Sequence, residues 1–246
     1  MKVALVGDIH ANLPALKAVL DHAHKQNVTT LWNTGDLAGY GPFPQEVVQA
    51  LLVEKALSTI GSYDQQILRF KKRKERWRRK KHVEEYVALE WAYSQLSKKG
   101  RKYLRFLSQE MRMTVKGRRV VMTHGCPGRS ANDVGAKEPK KALVALAIEA
   151  EADLLVCGRS HRPSARQVEG VWFINPGSVG LPVDGDARAS YALLQISQEE
   201  IQAQHYRVAY DVEQTVAALR DNDLPEAFCE MFQQGLSLEA VQDKMA

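Results

Sequence analysis

The chain reads as an α/β protein with a mostly parallel sheet and helices packed outside it. Three observations predict this. Apolar strand-like runs alternate with amphipathic helical segments over the first sixty residues. Acids and imidazoles recur where such runs hand over to loops, at Asp8-Ile9-His10, Gly35-Asp36, His124-Gly125 and Gly158-Arg159-Ser160-His161. The carboxyl ends of parallel strands are where α/β proteins build their sites. At 246 residues, 45% of them apolar, the chain can bury one sizeable core. No apolar stretch approaches the ~20 residues that span a bilayer.

The elements follow in order. Residues 2–7 form the first strand. A helix over about 14–26 puts Leu16, Val19, Leu20 and Ala23 on one face, with Asn12 as its N-cap. A strand at 29–33, a helix opening near Pro44 and a short strand at 57–60 continue the alternation. Residues 63–109 are helical and highly charged, with Gly100 expected to separate two helices. Runs at 112–115 and 118–123, joined by Lys116-Gly117, predict a hairpin. A helix at 139–151, strands at 153–157, 167–175, 190–197 and 201–208, and a helical tail from Val212 complete the reading. No linker or repeat divides the chain, so residues 1–246 are expected to form one domain, with 63–109 as a helical, strongly basic insertion.

The net charge of +5 is local. Residues 69–81 hold ten Lys or Arg and one Glu, a net +9, which leaves the remainder at −4. Arg69, Lys72, Arg73, Arg76, Arg79 and Lys80, with Phe70 and Trp77 interleaved, are candidates for a phosphate-rich partner such as nucleic acid. The plainer alternative is a solvated helical face. The run lacks an acidic face of its own and follows Asp64 closely, so it is expected to overhang the site and steer anions. Three cysteines without CxxC spacing suit a reduced, cytoplasmic, disulfide-free protein. His22, His24, His82 and His205 read as surface residues, and Asp64 as a cap of the helix after it. Oligomeric state leaves no signal.

Together the four corners resemble the metal-binding signature of the calcineurin-like metallophosphoesterases. Asp8 and His10 match its Asp-x-His motif, Gly35-Asp36 its Gly-Asp, and Thr123-His124-Gly125 its His-Gly corner. Asp36-Leu37-Ala38-Gly39-Tyr40-Gly41-Pro42 and Ile174-Asn175-Pro176-Gly177-Ser178-Val179-Gly180 are similar to further segments of one bacterial and archaeal branch. The resemblance runs to about residue 208. It implies a four-layer α/β/β/α sandwich, a phosphoester substrate and a divalent metal, for which carboxylate and imidazole ligands suit Mn, Fe or Zn. By analogy a first metal is bound by Asp8, His10, a bridging Asp36 and His161. A second would use Asp36, an Asn, His124 and the first His of a Gly-His-x-His.

The chain departs from that second set. Ser62 occupies the Asn position, Arg159 the His position, and Tyr63 the place of a His that supports the leaving group. A guanidinium cannot deprotonate to ligate a metal, but it pairs with phosphate oxygens in a bidentate fork. A phenol with an ordinary pKa of ~10 does not titrate near neutrality, but it can donate a hydrogen bond. Leu181 and Val183 stand where the branch carries polar Gln and Arg. The expectation is a phosphatase or phosphodiesterase with about one metal per chain, in which Asp36, Tyr63 and Arg159 act in catalysis. The alternative is a catalytically impaired protein that binds a phosphate-containing ligand or nucleic acid.

Overall fold

The computed structural model describes residues 1–127 and 138–245. Its strands are β1 (Lys2–Val6), β2 (Leu31–Asn33), β3 (Leu57–Ser58), β4 (Glu110–Val115), β5 (Arg118–Thr123), β6 (Leu154–Val156), β7 (Pro163–Val168), β8 (Val171–Pro176), β9 (Ala189–Ile196) and β10 (Ile201–Val208). Its helices are α1 (Leu13–Lys25), α2 (Pro44–Val53), α3 (Ser62–Lys80), α4 (Val83–Gln95), α5 (Lys98–Phe106), α6 (Lys140–Ala150), α7 (Val212–Asp221), α8 (Glu226–Gln234) and α9 (Leu238–Met245). Two five-stranded sheets form, in the orders β10-β9-β1-β2-β3 and β4-β5-β6-β8-β7.

The side-chain alternation of the strands explains the layering. Val3 and Leu5 of β1 face the second sheet and pack with Met122, Val156 and Ile174, whereas Ala4 and Val6 face the helices on the other side. In the second sheet Val120 and Met122 point inward, while Val121 joins Leu143 and Ala147 of α6 outside. Strands buried on both faces must be apolar at every position, which is why they read as continuous runs. The result is the four-layer α/β/β/α sandwich. Strands β1, β2 and β3 run parallel, as do β5, β6 and β8. Their carboxyl ends carry the acidic and imidazole corners.

Three details differ from the sequence reading. The expected strand at 167–175 is the hairpin of β7 and β8, turned at Glu169-Gly170 with both residues at positive φ. Gly100 lies inside α5. The break falls instead at Leu96-Ser97, where the Ser97 side chain caps the new helix by accepting from Gly100 N–H. A further break at Lys81-His82 separates α3 from α4. Among the described residues all three cysteines are free, and no helix is long and apolar enough to cross a membrane.

The region 63–109 packs α3 against α4 and α5 around Phe70, which contacts the rings of Trp77, Tyr86 and Tyr93. Phe70 is buried and Trp77 half-buried, so the aromatics of the basic run pack inward on the helical insertion. The acidic face missing from the run is supplied by α4, whose Glu90 and Glu85 pair with Lys74 and Lys81 at 2.8 and 3.0 Å.

Candidate metal centre

Each corner is a strand end turned sharply into a loop. Asp8, His10, Asp36, Arg159 and His161 all have positive φ, between 46° and 73°. Non-glycine residues adopt this region at an energetic cost, and such strain clusters at functional sites. The turns are held by their neighbours. Asp8 N–H donates to Gly35 O and His10 N–H to Asp36 O, tying the first corner to the second. Asp64 is more than a cap. Its buried carboxylate accepts from Leu37, Ala38 and Gly61 N–H, clamping the loop after Asp36 to the start of α3. Gly61 is required there, because a Cβ would lie 2.1 Å from both Asp36 N and Asp36 Oδ1.

Two ligand groups converge: Asp8, His10 and His161, and Asp8, Asp36 and His124. His10 Nε2 and His161 Nε2 are 3.2 Å apart, and His161 Nε2 is 3.5 Å from Asp8 Oδ1. His124 Nε2 is 3.3 Å from Asp36 Oδ2. Two atoms bound to one cation at ~2.1 Å sit ~3.0–3.4 Å apart at octahedral to tetrahedral angles, so these separations fit shared metal ligands. The tautomers fit as well. His124 Nδ1 lies 3.1 Å from Thr34 O and His161 Nδ1 2.6 Å from Leu181 O. A carbonyl only accepts, so each Nδ1 carries a proton and Nε2 is the atom each ring turns to the centre. Asp8 Oδ1 and His124 Nε2 are buried without a hydrogen bond, the condition expected of atoms awaiting a cation.

The electrostatics agree. Burial raises the Asp8 carboxyl above its usual range despite His161 and His124 nearby. Burial works against a charge on His124, but the Asp36 carboxylate outweighs it and lifts the imidazole to about 9, so a cation that binds its Nε2 must displace a proton. The same pairing, against burial, holds Asp36 below the usual carboxylate range. Burial and the neighbouring His161 lower His10 to about 3, leaving it neutral. Two acids in so dry a space are costly without a compensating cation.

The residues that depart from the family pattern all reach this centre. Ser62 Oγ donates to Asp36 Oδ2 at 3.4 Å and Tyr63 N–H to Asp36 Oδ1 at 2.7 Å. The Tyr63 ring stands edge-on to His10, and its hydroxyl donates to that of Tyr40. Burial keeps the Tyr63 phenol protonated well above its ordinary range. Arg159 N–H donates to Asp8 Oδ2 at 2.9 Å. Arg159, Ser62, Tyr63, His10, Asp36 and His161 line a pocket of about 290 Å³.

Other expectations fare differently. None of Arg69, Lys72, Arg73, Arg76, Arg79 or Lys80 lines the pocket. Helix α3 starts at the site and carries them away, Arg69 by ~10 Å and Lys80 by ~27 Å along its axis, so the run does not overhang the centre. His205 and His22 are half-buried and bonded, where the sequence reading put them at the surface. His205 Nε2 donates to Asn175 O at 2.7 Å, and His22 Nδ1 is 2.8 Å from the buried Tyr191 hydroxyl. Sequence reasoning also missed the contribution of the tail to the pocket, where Met231, Ser237 and Leu238 join Leu181 and Val183 in the lining.

Comparison with known proteins follows the same lines. The calcineurin-like phosphoesterase superfamily domain matches residues 1–199. The uncharacterized protein MJ0912 of Methanocaldococcus jannaschii is 28% identical, over 91% of this chain and 94% of its own. The phosphodiesterase YfcE of Escherichia coli is 26% identical, over 79% of this chain and 87% of its own. The crystal structure of a metallophosphoesterase from Sphaerobacter thermophilus superposes with a TM-score of 0.76 at 28% identity, covering 96% of this chain and all of that one.

Proposed function

As the chain belongs to the calcineurin-like phosphoesterase superfamily, we propose that it is a metal-dependent phosphoester hydrolase, a phosphatase or phosphodiesterase, that works with one divalent metal. The observation that carries this reading is the convergence of His10 Nε2 and His161 Nε2 on the unpartnered Asp8 Oδ1. Asp8, His10, Asp36 and His161 would hold the ion, whether Mn, Fe or Zn. When bound, such an ion polarises a phosphoryl oxygen and lowers the pKa of water at the site.

The protein's own side chains supply the rest. Arg159 lines the pocket and pairs with phosphoryl oxygens, compensating charge where a second cation would otherwise sit. Asp36 accepts from the amide of Tyr63 and the hydroxyl of Ser62, and His124, its Nε2 3.3 Å away, is the one imidazole left at the second corner. Tyr63 is held protonated by burial, and its hydroxyl would turn from Tyr40 to donate to a leaving oxygen. The name of the Escherichia coli relative favours a diester over a monoester substrate.

One observation favours a second reading, binding of a polyanion such as nucleic acid. Arg69, Lys72, Arg73, Arg76, Arg79 and Lys80 follow the three- and four-residue spacing of one helix face. All six are exposed, and none joins an ion pair among the described residues.

Metal content by mass spectrometry of protein purified without chelator, followed by a manganese-supplemented assay on aryl phosphate mono- and diesters, tests the main reading. About one metal per chain with turnover is expected. Two metals would remove the single-ion reading, and no metal with no turnover would leave the polyanion reading in its place.

A further inference from the structure

The pocket has two chemically opposed walls. His10, Asp36, Ser62, Arg159 and His161 form the polar one. The other is Leu181, Val183, Met231 and Leu238, interrupted by Ser237, and the Tyr40 ring neighbours both His10 and Phe228 at 5.8 and 5.3 Å. Met231 and Leu238 belong to α8 and α9, outside the residues matched by the family domain. A phosphate ion would need only the polar wall.

The apolar wall is fixed in place. Leu181, Met231 and Leu238 are nearly inaccessible and share one cluster with Tyr40 and Phe228. At the turn between α8 and α9, Gly235 takes a left-handed φ of 64° and accepts from Gly185 N–H at 3.0 Å. A Cβ at Gly235 would approach Asp186 C to 2.8 Å, so the turn is seated tightly on the loop that carries Val183. Asn12, two residues beyond His10, joins the tail to the metal corner. It donates to Gly180 O and accepts from the Thr215 hydroxyl of α7. The wall is therefore preorganised at a fixed distance from the centre.

We propose that α8 and α9, with Leu181 and Val183, form an apolar subsite for the organic group of a small phosphate ester, the phosphoryl end lying against Arg159 and His161. The substrate class is a low-molecular-weight organophosphate with an aryl or branched alkyl substituent. About 290 Å³ is at the small end of ligand pockets, a size that suits such an ester. The phosphoryl half of this assignment rests on the hydrolase reading; the apolar half rests on the tail.

The test uses manganese-loaded protein and two non-hydrolysable probes, phenylphosphonate and methylphosphonate, with affinities read by calorimetry. Phenylphosphonate should bind at least about tenfold more tightly, since one methylene in an apolar pocket already changes affinity by about that factor. Met231→Ala and Val183→Asp should each bring the ratio toward one. Val183 is only half-buried, so its variant reports even where loss of Met231 loosens the tail. Equal binding of the two probes by the unmodified protein overturns the subsite and leaves the hydrolase reading standing. A ratio preserved in both folded variants moves the preference away from the tail and also overturns it. Binding of neither probe, with no turnover of an aryl ester, removes both readings together.

Discussion

The strand-end corners and the basic run of α3 both concentrate charge, and the fold treats them in opposite ways. Asp8, His10, Asp36 and His124 are buried, each lies within 3.8 Å of another, and three of them sit in left-handed backbone. Arg69, Lys72, Arg73, Arg76, Arg79 and Lys80 are exposed on an unstrained helix that separates them by a few ångströms of rise per step. Burial strengthens every interaction inside the first group, whereas water and salt screen the second. Charge density alone therefore says little about chemistry. The difference lies in desolvation and convergence, both supplied by the fold.

The same contrast decides what was legible in the sequence. Asp8, His10, Asp36, His124 and His161 could be found because each follows an apolar run that ends at a loop, a local signal. The alternation that places Val3 and Leu5 on one face and Ala4 and Val6 on the other was also local. The apolar wall left no such mark. Met231 and Leu238 are ordinary helix-face residues, and only the close seating of Gly235 on Asp186 and Ala187 brings them to a pocket built from residues far earlier in the chain. Pairing of α4 with α3 was likewise invisible, since Glu85 and Glu90 fall in a later helix. The turn at Glu169-Gly170 carried a usable signal in its glycine, obscured by apolar residues on both sides.

The largest expected effect is at the corner. Asp8→Asn removes the carboxylate shared by both ligand groups, and turnover should fall to background. Stability gives a second readout. Metal held at about a hundredfold over its Kd stabilises a protein by ~2.7 kcal/mol, or roughly 5–10 °C in Tm for a chain of this size. Unmodified protein should show that manganese-dependent rise and lose it to chelator, whereas Asp8→Asn should show none. Lys72→Glu on α3 should retain the full rise. An Asp8→Asn variant with the full shift would place the metal elsewhere.

A smaller change sharpens the contrast within the site. Arg159→His combined with Ser62→Asn replaces a fixed cation and a weak ligand by two neutral ligands beside Asp36 and His124. Bound manganese should rise from about one to about two per chain. If the doubly substituted protein still holds one ion or none, the assignment of Arg159 and Ser62 to the second position is wrong. Phosphonate affinity measured in the same variant separates the two roles of Arg159. A guanidinium that only occupies a metal's place is replaceable by an ion, whereas one that grips phosphate in a fork leaves a deficit that the ion does not restore.

The smallest structural effect is expected on α3, where the question is whether an exposed stripe of charge has a partner. Reversing Lys72, Arg73 and Arg76 to Glu leaves the pairs Lys74–Glu90 and Lys81–Glu85 intact. Surface changes of this kind usually alter stability by less than ~0.5 kcal/mol each, so Tm should barely move and turnover of a small ester should be unchanged. Binding to single- and double-stranded oligonucleotides is the decisive readout. If the stripe is an interface, affinity falls in the reversed variant, and the steep decline of the unmodified protein's affinity with salt flattens by about one unit of slope for each phosphate no longer neutralised. Binding that is weak in both proteins, or insensitive to salt, would make the stripe a solvated face. The charge of this chain that matters would then be the buried charge at the corners, where a handful of residues lies in left-handed turns around one centre.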